Sequence, residues 1–408
     1  MAQLPKGEIA PSDGLLPLVF NSSDNSFHAY VHIPYCLTRC GYCDFNTYTA
    51  TELGDTSQSE YFQLVIKEID FAKDVLEKSG SGPRKLSSVF FGGGTPTLLP
   101  AEDLISIFKH LVDVFGIEAG SEVTTEANPD SVDEEYLQAL KEAGFTRVSF
   151  GMQSAVPEVL KVLERTHKPE NVALNVSRAK TVGLETSVDL IYGTPGESLA
   201  DWRRSLEAAI EMNTDHISAY SLIVEPGTKL ARQIKAGEIE SPDEALHADM
   251  YELAEELLTE AGFSNYEVSN WAKSPTLQSR HNVSYWESKD WWGFGPGAHS
   301  HVGGVRWWNV KHPAAYSERI LSGVSPALER ELVDQENRNI EKVMLEARLA
   351  RGMDVNWLKE NGFGEAKVLS ELIADELVDG KALIGGRLVL TLKGRLLADL
   401  VVRRLLGF

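Results

Sequence analysis

Residues 30–43 read Tyr30-Val31-His32-Ile33-Pro34-Tyr35-Cys36-Leu37-Thr38-Arg39-Cys40-Gly41-Tyr42-Cys43. A short β-rich run leads directly into a C-x3-C-x2-C spacing, and these are the only three cysteines in 408 residues. An odd, clustered set makes a poor disulfide framework but a natural metal site in a reducing compartment, which predicts a cytoplasmic protein. Iron–sulfur clusters usually take four thiolates. With three, one iron is left for a non-cysteine ligand, as a cluster requires if it is to bind and reductively cleave a small molecule. The competing readings are three fortuitous cysteines or a zinc knuckle completed by a histidine. Zinc sites typically bring their ligands in two separated pairs, and this run does not.

Outward from that stretch, short β-rich runs alternate with amphipathic helices. After residues 30–33, Phe62, Val65, Ile66, Ile69 and Leu76 fall on one helical face. Residues 89–91 read as the next strand and 104–115 as the next helix, stopped by Gly116. Residues 123–127 follow, and Ser131 with Glu134 reads as a capping box for a helix ending at Gly144. Residues 147–150 predict a strand, with a helix after it ending near Gly183. Then come a strand at 188–191, a helix capped by Ser198 and running to about Met212, and a last strand at 216–221. This alternation implies a parallel sheet with crossover helices. About six βα units suit a partial barrel better than the eight of a closed one, although a doubly wound sheet would give much the same pattern.

Four segments are expected: an N-terminal arm at 1–28, a core barrel at 29–265, an aromatic-rich segment at 266–330 and a C-terminal module at 331–408. The third holds Tyr266, Trp271, Tyr285, Trp286, Trp291, Trp292, Trp307 and Trp308, of which the Trp291-Trp292 and Trp307-Trp308 pairs read as packing. In the fourth, Gly385-Gly386 between two apolar triplets reads as a hairpin. With the surrounding charged helices it suggests a winged-helix-like module. A net charge of −21 excludes non-specific nucleic-acid binding, which needs a basic surface. The apolar run at 15–20 is short and broken by Pro17, so no signal peptide is read. No stretch approaches the roughly 20 apolar residues of a membrane span.

Further polar residues gather where a barrel collects its chemistry, at the C-terminal ends of strands. Gly92-Gly93-Gly94-Thr95-Pro96 ends the second strand, Glu126 the third and Gln153 follows the fourth, while Asp189 lies in the fifth. Glycines in such a loop let a ligand approach the backbone.

The cysteine spacing, with Tyr42 before the third cysteine, resembles the signature of the radical-SAM superfamily, and the glycine run resembles its GGxxP-type loop. Tyr30-Val-His-Ile-Pro34, Gly92 to Thr97, Thr125-Glu-Ala-Asn-Pro129, Gly151-Met-Gln-Ser154 and Asp189-Leu-Ile-Tyr-Gly193 together resemble the oxygen-independent coproporphyrinogen III oxidase family. That family comprises HemN dehydrogenases and HemW heme chaperones, and the likeness runs from about residue 29 to the C-terminus. It implies a partial (β/α)6 TIM-like barrel followed by a C-terminal α+β region. It also implies a [4Fe–4S] cluster on Cys36, Cys40 and Cys43. S-adenosylmethionine (SAM) contacts are implied for Tyr30, Gly93, Gly94, Thr95, Glu126, Gln153, Arg165 and Asp189, with His32 orienting the site.

Within the family, the dehydrogenase branch has a further cysteine two residues after the third cluster cysteine, where this chain has Phe45. That branch also carries a longer N-terminal extension, whereas fewer than 30 residues precede Tyr30 here. His281-Asn282-Val-Ser-Tyr285-Trp286 resembles the HNxxYW heme motif of the chaperone branch. By residue type alone His281 is a core histidine among packed tryptophans. The motif instead implies an axial heme ligand, with Asn282, Tyr285 and Trp286 beside it. The resemblance thus implies heme binding, transfer to an acceptor protein and an electron donor for the cluster. Oxidative decarboxylation of coproporphyrinogen III is the enzymatic alternative.

Overall fold

A strand buried on both faces belongs in the interior of a covered sheet. Such a strand is β2 (Phe27–Ile33), buried at six of its seven residues; among the described residues ahead of it lies the two-residue β1 (Glu8–Ile9). The structure, a computed structural model, describes residues 6–17, 25–49, 58–82 and 84–408, so the apolar run at 15–20 lies outside the described residues from 18 onward. From β2 the chain passes through β3 (Leu86–Gly93), β4 (Ile117–Ala127), β5 (Arg147–Gln153), β6 (Glu185–Tyr192) and β7 (His216–Ser221). Each pairs in parallel with the one before. The crossovers are α1 (Tyr61–Lys78), α2 (Ala101–Phe115), α3 (Glu134–Ala143), the pair α4 (Pro157–Val162) and α5 (Pro169–Thr181), and α6 (Leu199–Glu211).

The expected helices form for the expected reason. Val65, Ile69 and Leu76 of α1 are buried in the main core with Leu104, Ile107 and Leu111 of α2. Two details differ. The cap of α3 is Asp133, whose carboxylate accepts the Tyr136 N–H at 2.8 Å, and not Ser131. Residues 128–131 close a turn, Ser131 N–H to Asn128 O at 3.0 Å, so helical geometry begins three residues later. The single helix expected before Gly183 is two, because Glu164 after α4 takes φ +56° and Pro169 starts α5 afresh.

Beyond β7, α7 (Lys229–Lys235) and α8 (Glu244–Glu260) precede β8 (Ser264–Asn265) and β9 (Asn270–Ala272), which extend the sheet past β7. After α9 (Arg280–Trp286) comes β10 (Asp290–Phe294), which lies parallel beside β2. From there β11 (His299–Val302), β12 (Val305–Asn309), β13 (Ala327–Leu332) and β1 follow, each antiparallel to its neighbour. The aromatic-rich residues therefore build both flanks of one sheet, which among the described residues has 13 strands ordered β1-β13-β12-β11-β10-β2-β3-β4-β5-β6-β7-β9-β8. Trp292, Trp307 and Trp308 are buried in these flanks.

Alternate residues of the parallel strands face one cavity of about 830 Å³: Glu126 from β4, Ser149, Gly151 and Gln153 from β5, Ser187, Asp189 and Ile191 from β6. Strands that turn one face to a shared interior make a curved sheet, the partial barrel expected, with its order open at β1 and β8. The C-terminal residues pack a core of their own around Val343, Leu358, Leu372, Leu388 and Val401. The hairpin expected at Gly385-Gly386 does not form. Gly380–Ile384 is helical with Gly385 as its cap, and the short pair is β14 (Met353–Asp354) with β15 (Arg387–Leu388). Apolar triplets beside two glycines suit a helix end as well as a turn, and only the distant partner decides.

Candidate metal and cofactor centre

The end of β2 runs straight into the cysteine loop, and the loop is held through its backbone. Cys36 N–H donates to Tyr48 O at 3.1 Å, Tyr48 N–H to Pro34 O at 2.7 Å, and Cys43 N–H to Cys40 O at 3.2 Å. The His32 ring bonds Tyr30 Oη at 3.0 Å and Asn46 O at 2.8 Å. Asn46 Nδ2 in turn donates to Pro296 O at 2.9 Å and Lys311 O at 2.8 Å. Tyr42 packs on a small apolar cluster of Val156, Leu163, Leu222 and Leu230.

The glycine loop after β3 is stitched to the same place. Gly94 N–H donates to Ile33 O at 2.7 Å and Thr95 N–H to Tyr35 O at 2.8 Å. A Cβ on Gly93, whose φ is +109°, would lie 2.5 Å from the His32 ring, and one on Gly94 would lie 2.4 Å from Tyr35 O. Glycine is required at both positions by the close passage of the cysteine segment itself, in addition to any ligand.

The three thiols are free and half-buried. Burial pushes the Cys36 thiol up and that of Cys43 to about 11, so loading a metal group must displace protons. Arg165 stands over them, its Nη1 3.6 Å from Cys40 Sγ and its Nη2 donating to Gly151 O at 2.8 Å. Among the described residues its buried Nε has no hydrogen-bond partner. Among the described residues no three Cys, His, Asp or Glu side chains form a site for a single ion. Cubane irons occupy separate corners, so thiolates that hold one stand farther apart than the ligands of one ion. Three thiols on one tethered loop, a guanidinium beside them and a cavity beneath suit a [4Fe–4S] cluster with one iron open.

Two carboxyls lie below. Glu126 Oε2 accepts Gly93 N–H at 3.2 Å, and burial, then the nearby Asp189, push its pKa up to about 8. Burial also raises Asp189, against hydrogen bonds from Ser218 and Ser149, the latter at 2.9 Å. Gln153 ends β5 in the left-handed region at φ +62°, the backbone strain that tends to collect at functional sites. Tyr30, Cys36, Cys40, Cys43, Gly93, Gly94, Thr95, Glu126, Gln153, Arg165 and Asp189 all line the one cavity.

At the other end of that cavity α9 forms a floor. Glu122, in the middle of β4, accepts Arg280 N–H at 3.0 Å and His281 N–H at 3.3 Å, and is itself paired with Arg147 at 3.1 Å. His281 is 1% exposed. Its ring stacks on Phe90 at 5.2 Å and bonds Ser88 Oγ through Nδ1 at 2.7 Å and Tyr285 Oη through Nε2 at 2.8 Å. Burial pushes its pKa well below the usual histidine range. Asn282 Nδ2 donates to Glu267 Oε1 at 3.3 Å. His281, Asn282 and Tyr285 line the cavity; Trp286 does not. Four functional neighbours escape a reading of the sequence: Asn46, Ser88, Glu122 and Arg147. Each bonds a residue more than 100 positions away, Arg147 through Leu277 O at 2.8 Å, and no local spacing marks such a pair.

A parallel strand series with three cysteines over its carboxyl ends and a glycine loop beside them defines a radical SAM protein. The sequence profile of the Radical SAM superfamily matches residues 30–209. Coproporphyrinogen III oxidase HemN from Escherichia coli, a radical SAM enzyme, superimposes with a TM-score of 0.78 over 94% of this chain and 91% of that one, at 23% identity. The chain is 44% identical over 382 residues to the heme chaperone HemW of Mycobacterium tuberculosis H37Rv, covering 93% of this chain and 95% of that protein. It is 33% identical over 387 residues to HemW of Bacillus subtilis 168, covering 93% and 99%. The chain belongs to the HemW family of radical SAM proteins.

Proposed function

We propose that this protein is a heme chaperone that carries a [4Fe–4S] cluster with SAM, binds heme and passes it to an acceptor protein in the cytoplasm. The observation that carries the reading is 44% identity over 93% of the chain to a heme chaperone. Phe45, in the place of the dehydrogenase branch's extra cysteine, supports it. Among the described residues no helix is long and apolar enough to cross a membrane.

Cys36, Cys40 and Cys43 would hold the cluster, whose open iron supplies a site for SAM and an electron to it from a donor protein. Arg165 places its guanidinium charge beside Cys40 Sγ. Gly93 and Gly94 let their loop lie close against the cysteine segment, and Thr95, Tyr30 and Gln153 line the cavity beside it. Glu126 and Asp189 present carboxyl groups to an ammonium or to hydroxyls. For heme, His281 is the proposed ligand, with Asn282, Tyr285 and Trp286 around it. Ligation through Nε2 exchanges the Tyr285 hydroxyl for iron.

The test is anaerobic reconstitution of the cluster followed by heme titration into wild type and His281→Ala, read at the Soret band. Stoichiometric binding in wild type, at least tenfold weaker in the variant with cluster absorption retained, is expected. Coproporphyrinogen turnover without specific heme binding would overturn the reading in favour of the dehydrogenase.

A further inference from the structure

Four side chains and a tyrosine form one unbranched hydrogen-bonded line into the barrel floor. Ser26 Oγ lies 2.9 Å from His28 Nε2, His28 Nδ1 lies 2.7 Å from Ser88 Oγ, Ser88 Oγ lies 2.7 Å from His281 Nδ1, and His281 Nε2 lies 2.8 Å from Tyr285 Oη. His28, Ser88 and His281 are 4%, 0% and 1% exposed, so water does not interrupt the line. None of Ser26, His28 and Ser88 belongs to the HNxxYW run or to the cofactor end of the cavity.

The chemistry of the line restricts where its protons sit. A neutral imidazole has one N–H and one bare nitrogen, and a serine hydroxyl has one proton to donate. Ser88 stands between two Nδ1 atoms, so it donates to one and accepts from the other. The two histidines must then be opposite tautomers. In the first arrangement Tyr285 donates to His281 Nε2, His281 Nδ1–H donates to Ser88, Ser88 donates to His28 Nδ1, and His28 Nε2–H donates to Ser26. In the second every bond is reversed. Tyr285 would then accept from His281 Nε2–H, which is the weaker bond, because a phenol O–H is a stronger donor than a neutral imidazole N–H and an imidazole nitrogen a stronger acceptor than a phenol oxygen. Ser26 is half-buried and can take either role with solvent at hand. The first arrangement wins.

We propose that Ser88, backed by His28, is a positioning residue that fixes His281 with its proton on Nδ1 and a bare Nε2 turned to the cavity, ready for heme iron. The inference rests on the heme reading above. Metal-binding histidines generally donate their other ring N–H to a partner that sets tautomer and orientation, and here the Phe90 face holds the ring plane as well.

The experiment begins without heme. Protein labelled with 15N in its histidine rings is examined at neutral pH by long-range nitrogen–proton correlation, with His281 and His28 assigned from His281→Gln and His28→Gln. Nδ1–H with bare Nε2 is expected for His281, and the opposite for His28. Heme titration then compares Ser88→Ala with Ser88→Thr, the cluster absorption of each checked against wild type. Ser88→Ala is expected to mix the His281 tautomers and to weaken heme binding about tenfold or more, and Ser88→Thr, which keeps the hydroxyl, to restore both. Nε2–H on His281 in the wild-type protein overturns the proposal, as does wild-type heme affinity in Ser88→Ala. If the tautomers are as stated but His281→Gln binds heme like wild type, the heme reading itself has failed, and the positioning role falls with it.

Discussion

At the mouth of the barrel the cysteine loop is tied down through backbone groups and Asn46, and its thiols line the cavity with Arg165 beside Cys40. At the floor the side chains satisfy one another: His281 has a partner on each ring nitrogen, and Glu122 takes up the free amides of α9. The mouth is a frame with its functional atoms facing a space, and it can receive a group without rearranging. The floor is closed, and a ligand there must first break a bond the protein makes with itself. An unoccupied donor set is thus not the sole sign of a binding site; a satisfied one differs in the free energy needed to open it.

Gly94→Ala gives the largest expected effect on this comparison. Its Cβ would meet Tyr35 O at 2.4 Å and Ile33 O at 2.9 Å, where only backbone can yield. The stitch between glycine and cysteine loops should part, costing at least about 2 kcal/mol in urea unfolding and dropping bound iron after reconstitution below about a tenth of wild type. Normal iron content in this variant would mean that backbone fastening does not hold the mouth.

The two ends also differ in the sign of their pH dependence. Glu126 at the mouth is raised by burial and by Asp189 to about 8, so its contribution to stability is present below the unfolded value of 4.5 and lost as pH rises through 8. His28 at the floor is lowered to about 4 by burial and by the charges of Lys289 and Arg84. Its contribution is present above 6.5 and lost as pH falls through 4. Urea midpoints of the metal-free protein from pH 4 to 9 should therefore flatten on the alkaline side in Glu126→Gln and on the acid side in His28→Gln, by about 1–3 kcal/mol each. Both variants flattening the same side would erase the distinction.

Tyr285→Phe carries the smallest effect and the sharpest meaning. Removing the hydroxyl deletes the bond that heme would have to displace, worth about 1 kcal/mol. Heme affinity by Soret titration should rise about fivefold. An unchanged affinity would place the iron away from His281 Nε2.

Much of this was legible in the amino-acid order. The cysteine spacing, the six strands and the carboxyls at their ends depend on local period and on position after a strand, and all are found where the pattern puts them. What was not legible depends on distant partners. Nothing in Asp290–Phe294 announces that it lies beside β2, because pairing in a sheet is chosen by shape across the whole chain. Ser131 had the right neighbour for a cap, yet the turn at 128–131 passed that role to Asp133. Ser88 looked like one more small polar residue in a strand; its meaning comes from His28 and His281 on either side.

The pairing of β10 with β2 has a consequence for how the protein is made. The chain grows from its N-terminus, so β2 to β7 leave the ribosome before the strand that covers the outer side of β2. During that interval β2 is an apolar edge open to other chains, and Asn46 still lacks the carbonyls of Pro296 and Lys311 that anchor the cysteine loop. Assembly therefore has a fixed order: the later segment must return to the first strand before the loop has its final hold, and metal delivered to a half-made chain would find the ligands without their support.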